Sequence, residues 1–135
     1  MIALDIVTFL VGTGDVFNPG DGTPEVYADW RPESPNKIVV VSDYISIEPV
    51  ITMNGAAPPI VERPRIQVLV RDDPQEVVAC YNKARDIYKR LCLVADMTIG
   101  TTRYTLIPLD SPSMIGRDDQ QRVLYSMNFQ TTMQE

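Results

Sequence analysis

The sequence predicts a single α+β domain. A twisted mixed or antiparallel sheet carries one main helix and a short N-terminal helix packed on it. Three observations point there. Residues 65–91 read as a strand running into an amphipathic helix. Residues 123–130 alternate apolar and polar with the period of a strand. Two further β-like segments, 37–42 and 97–107, flank the strand–helix unit. At 135 residues, 44% hydrophobic and 22% charged, the chain is long enough for one domain with a real core.

The elements follow in order. Ile2, Ile6, Phe9 and Leu10 share a helical face, and Gly12 and Gly14 stand where a helix would stop. A buried strand is the rival reading, since Ile, Val and Thr are frequent; the helix is preferred. Residues 13–36 are loop-like, with a turn cluster from Asn18 to Pro24 and a short extended piece at 26–30 holding Trp30, the only tryptophan. Residues 37–42 form a strand apolar on both faces, as a central strand would be. Residues 43–63, broken by Pro49, Asn54-Gly55 and Pro58-Pro59, read as an irregular extended loop or arm. Val50 to Met53 could be one side of a hairpin there.

In the strand at 65–71, Ile66, Val68 and Val70 alternate with Gln67 and Arg71. Asp73 is then expected as N-cap, with Pro74 in the first helical position and Glu76 closing a capping box. Val77, Tyr81, Ala84, Tyr88 and Leu91 fall on one helical face. Lys89 and Arg90 in the last turn suit the helix dipole. Residues 97–99 and 103–107 around Gly100 make a hairpin, 108–119 a loop, and 122–131 the last strand.

Net charge is −6, against a basic nucleic-acid surface. Residues 1–36 carry most of it, setting Asp5, Asp15, Asp21, Glu25, Asp29 and Glu33 against Arg31 alone. Asp15, Asp21, Glu25, Asp29 and Glu33 are therefore the candidate acidic surface. The absence of histidine removes the commonest general base and metal ligand. Cys80 and Cys92 lie twelve residues apart on the predicted helix. That is about 18 Å along its axis, too far to bridge, and fits a reducing setting. No apolar run approaches a membrane span of about 20 residues. The acidic Asp5 and the lack of a basic run also separate the first residues from a signal peptide.

Each catalytic candidate has a plainer reading. Ser34-Pro35-Asn36-Lys37 spells Ser-x-x-Lys but enters a strand and lacks its companion motifs. Residues 15–22 resemble a calcium loop, but Phe17 and Pro19 occupy ligand positions. Gly12-Thr13-Gly14 lacks the rest of a phosphate loop. Asp72-Asp73 is explained by capping, and Asp118-Asp119 by pairing with Arg117 and Arg122. Those last four form a candidate turn and ion-pair motif. No cofactor, metal or enzymatic activity is expected. The apolar groups of the arm, Tyr44, Ile45, Ile47, Val50, Ile51, Met53, Ile60 and Val61, are the candidate subunit interface.

The run from Pro64 to Arg71 with its helix, and the run Gly116-Arg117-Asp118-Asp119-Gln120-Gln121-Arg122 leading to Asn128-Phe129, resemble the small neck proteins of long-tailed bacteriophages. These are the tail-terminator or minor capsid proteins, and the likeness covers about residues 37–131. The resemblance implies an α+β fold and a closed ring, usually of six subunits, that caps the tail tube and joins it to the head. It implies as partners further copies of the chain, the tail tube protein and a head-completion or connector protein. DNA would pass through without specific binding, and no membrane is involved. The implied location is the tail or neck of the virion, assembled in the cytoplasm of the host bacterium. The alternatives are a head-completion or connector protein of the same neck, or a small non-enzymatic protein-binding module.

Overall fold

The computed structural model describes residues 2–13, 25–33, 36–51 and 60–134, with side chains described at 2–13, 26–33, 36–43 and 64–132. The elements are α1 (Ile2–Thr13), β1 (Glu25–Ala28), β2 (Ile38–Ile51), β3 (Ile60–Asp72), α2 (Val77–Cys92), β4 (Met97–Ile99), β5 (Thr102–Pro108), β6 (Ser113–Arg117) and β7 (Val123–Gln134). The strands form one sheet in the order β1-β2-β3-β7-β5-β4, and β6 also pairs with β7. The sheet is mixed: β1 runs parallel to β2, and the other pairs are antiparallel. The α+β class is thus observed.

The alternation of β3 and β7 decides what each face of the sheet carries. Ile66, Val68, Val70, Val123, Tyr125, Met127 and Phe129 join Val39 and Val41 under the helices. α1 contributes Ile2, Ala3, Ile6, Val7 and Leu10 to this core, so the helical reading of the N-terminus holds. On the opposite face, Ile38, Val40, Leu69 and Leu124 form a second cluster backed by Tyr27. The first four residues of β2, 38–41, are buried on both faces, as their Ile-Val-Val-Val run requires.

α2 starts later than its capping signals suggest. Residues 73–76 form a turn instead, closed by the Glu76 amide on the Asp73 carbonyl at 3.0 Å. The carboxylate of Asp73 does not cap the helix; it accepts from the Asn36 side-chain amide at 2.6 Å. Glu76 is the N-cap and makes no side-chain cap bond. A long-range partner thus outcompetes the local capping box.

The buried face of α2 is also rotated from the expected one, and consists of Cys80, Ala84, Ile87 and Leu91. Val77 and Tyr88 flank the core. Tyr81 is 43% exposed and touches the sheet edge-on, its ring 5.8 Å from that of Tyr125. Cys80 displaces Tyr81 because it sits over β3, its thiol directed at the Val70 carbonyl at 3.5 Å.

Residues 43–63 are not an irregular loop where they are described. β2 and β3 continue as a hairpin, from Ser46 opposite Pro64 to Ile51 opposite Ile60. The described strands absorb Pro49 at an irregularity. Register shifts fall between Asp43 and Ser46 and between Ile47 and Val50, the second spanning Pro49. Asn54-Gly55, the expected turn, lies outside the described residues. The expected 108–119 loop contains β6, paired with the first half of β7. β6 escapes the period-2 pattern because it is an edge strand with exposed Met114 and Ile115 and a shift at Gly116, whose φ is +125°.

Candidate assembly surface

Parallel pairing of β1 with β2 requires the chain to cross between them, and residues 29–33 and 36–37 are the described parts of that crossing. Asp29 takes a φ of +57° as β1 ends, and its carboxylate accepts the Asp43 amide at 2.8 Å. Burial, and then the nearby Asp29 charge, raise the Asp43 carboxyl above its ordinary value. Further along, Pro32 is buried. The Glu33 carbonyl accepts from Arg122 Nη1, and the Asn36 carbonyl accepts from Arg71 Nε at 3.1 Å. Arg71 and Leu124 are register partners on the face opposite the helices. The crossing is therefore pinned to that face by two arginines.

The turn at 118–122 holds one of them. The Asp118 carboxylate accepts the Gln120 amide at 3.0 Å, the Arg122 amide at 2.9 Å and Arg122 Nε at 2.6 Å. Burial works against the charged form of Asp118. The Arg122 amide and guanidinium and the Gln120 amide outweigh it, and hold the carboxyl below the ordinary range. Gln121 is left-handed, with φ +63°. Arg117 Nη1 donates to the Gln121 and Pro74 carbonyls, each at 2.7 Å.

Together these groups line a cleft of about 450 Å³ whose charged walls are Arg31, Glu33, Arg71, Arg117, Asp118, Asp119 and Arg122. Arg71 and Arg122 are over nine-tenths buried, while Arg31 and Arg117 are exposed. Burial, and then the charge of Arg122, push the Arg71 guanidinium below its ordinary value.

The structure brings Arg117, Asp118 and Arg122 into one hydrogen-bonded turn, with exposed Asp119 at the cleft rim. Among the acidic candidates, Asp29 and Glu33 lie on the exposed crossing. Glu25 opens β1, with its side chain outside the description, and Asp15 and Asp21 lie outside the described residues altogether. Of the interface candidates, Tyr44, Ile45, Ile47, Val50, Ile51, Ile60 and Val61 lie on the hairpin strands with side chains undescribed, and Met53 is outside the described residues. Sequence reading missed Arg31, Asn36 and Arg71. Arg71 gave one signal, a charge ending an apolar strand, but its partner Asn36 is 35 residues away. Among the described residues no three His, Cys, Asp or Glu side chains are grouped to hold a metal. No helix of the described residues is long and apolar enough to cross a membrane.

The family model described as bacteriophage tail terminator protein matches residues 11–135. The chain belongs to the bacteriophage tail terminator family. It is a structural protein of the phage virion. Among solved structures, a chain from "Virion of native gene transfer agent (GTA) particle" is similar in fold, with a TM-score of 0.52 and 17% identity. The match covers 96% of this chain and 84% of that one. No curated protein matches.

This tail terminator also exposes large apolar side chains. Trp30 is 61% exposed and packs edge-on against Tyr27 at 5.2 Å, beside a groove floored by Val40 and Leu69. On the helix side, Val78 and Tyr81 of α2 are exposed, as is Met114, the register partner of Tyr125. Exposed apolar groups of this kind mark contact surfaces when they are contiguous.

Proposed function

We propose that this tail terminator forms a closed ring, of six subunits, that ends the tail tube and joins it to the head. Its partners in this reading are further copies of itself, the tail tube protein and a head-completion or connector protein. DNA passes through the ring without specific binding. The protein is not an enzyme, and the ring assembles in the cytoplasm of the host bacterium. Family membership supports the tail-end role.

The observation that carries the ring is the outer part of the β2–β3 hairpin. Among the described residues, β1 pairs with β2 only at 38–41, so 46–51 pair with β3 alone. β7 backs β3 as far as Glu62, so the two-stranded part is the tip, Val50–Ile51 opposite Ile60–Val61, and such a ribbon is marginal alone in water. The hairpin carries Tyr44, Ile45, Ile47, Val50, Ile51, Ile60 and Val61, with Met53 following. A neighbouring subunit can cover those groups and pair with the open edge. The hairpin therefore serves as the arm of the subunit interface.

Light scattering of the purified protein, with ring images by electron microscopy, tests this reading. The expected result is a discrete closed oligomer, alone or on tail tubes. Deleting residues 50–59 should leave a chain folded by circular dichroism that no longer assembles. An unchanged oligomer from that variant would move the interface to the sheet and helix faces.

A further inference from the structure

We propose that the arginine cleft is a carboxylate receptor for a second copy of this chain. Its occupant is the neighbour's acid-rich run at Asp15, Asp21 and Glu25. The proposal rests on ring assembly and names a charged joint within it, separate from the hairpin arm.

Charge is distributed as such a joint requires. The cleft sets Arg31, Arg71, Arg117 and Arg122 against Glu33, Asp118 and Asp119. That leaves eight basic and fifteen acidic residues in the rest of the chain, out of 12 and 18 in all. A locally positive cleft thus belongs to a chain that is otherwise strongly negative, so copies of the chain are complementary to one another.

The geometry suits carboxylates. Arg71 and Arg122 are fixed by the Asn36 and Glu33 carbonyls and by Asp118, so they form a preorganised floor. Arg31 and Arg117 stand exposed at the rim, where guanidinium forks can take carboxylates in bidentate fashion. The three resident carboxylates limit the positive excess. The exposed guanidinium forks suit side-chain carboxylates, whereas a polyphosphate strand is repelled by the rest of the surface.

The test uses the full-length chain and measures assembly by sedimentation velocity. Arg31→Glu leaves the Asp118–Arg122 turn intact and should weaken association at least about tenfold. Adding Arg117→Glu should leave a folded monomer. Asp15→Arg with Asp21→Arg should also lose assembly, and combining the four changes should restore it. Assembly of the Arg31→Glu/Arg117→Glu variant at wild-type concentrations would overturn the joint and leave the ring standing. Failure of the combined variant to recover would overturn the occupant named here. An acidic-run variant that melts at a different temperature but assembles normally would place that run on its own subunit's cleft, again overturning the proposal. A wild-type chain that stays monomeric alone and with tail tubes would overturn the ring, and this joint with it.

Discussion

Asp118→Ala tests whether the 118–122 turn is held by its carboxylate. The substitution removes the acceptor of two backbone amides and of Arg122 Nε, at 2.6–3.0 Å. The Arg122 side chain is only 7% exposed and that of Asp118 17%, so water can replace part of what is lost but not all. Breaking one side of a buried pair costs about 3–5 kcal/mol, and an ordinary hydrogen bond contributes about 1 kcal/mol. With Asp118 reachable by solvent, a loss of about 2–4 kcal/mol is expected at neutral pH. The folded carboxyl titrates below its ordinary value. Its contribution is therefore complete above an unfolded value of about 3.9 and is lost as pH falls through the folded one. Urea titrations at pH 7 and near pH 3 would read both effects. The variant should be much less stable than wild type at pH 7, and the gap should narrow in acid. A loss below about 1 kcal/mol at pH 7, or a gap independent of pH, would refute the reasoning.

Leu91→Ala empties a fully buried site under the sheet and should cost about 2–5 kcal/mol by the same titration, with a loss under about 1 counting against the packing described. Gln121→Gly should stabilise by about 0.5–1 kcal/mol, because φ +63° strains a side chain and not glycine; a lower melting temperature would contradict this. Burial, and then the Asp72 charge, push the Cys80 thiol up to about 12, so iodoacetamide at pH 8 should label Cys92 and spare Cys80 in the native protein; two adducts by mass spectrometry would contradict it. The acidic balance predicts weak or absent binding to duplex DNA at physiological salt, and a sub-micromolar, salt-sensitive gel shift would count against it.

What was legible in the sequence was what neighbouring residues decide. The alternation of Ile66, Val68 and Val70 identified β3, and that of Val123 to Phe129 identified β7. The (i, i+4) apolar spacing at 2–10 identified α1. What was not legible depended on partners distant in the chain. Asp73 reads as a cap until Asn36 claims its carboxylate. Tyr81 reads as core until Cys80 and Ile87 take the buried face of α2. β6 has no buried stripe to announce it, since its exposed edge carries Met114 and Ile115. The prolines of 43–63 argued for a loop, whereas the register shifts absorb Pro49 within the hairpin. In the cleft, the Arg117–Arg122 turn could be read locally. Arg71 and Arg31 could not, because only the sheet register brings them to it.

The same arginines connect the two ends of the chain. Arg122, fixed by Asp118, bonds the Glu33 carbonyl and reaches the Asn36 side chain at 3.4 Å. Arg71 on β3 bonds the carbonyl of Asn36. The crossing that seats β1 is thus held by groups far along the chain, 35 residues later for Asn36 and Arg71 and 89 for Glu33 and Arg122. Among the described residues β1 has four residues and one strand partner, too little pairing to anchor itself. Loss of the 118–122 turn should therefore release the crossing, expose Ile38, Val40, Leu69 and Leu124, and loosen β1 before the helix-covered core responds. Hydrogen exchange in Asp118→Ala would show this as fast exchange at the amides of residues 25–29 with protection retained at Val68 and Met127. Uniform loss of protection would mean instead that turn, crossing and core form a single cooperative unit.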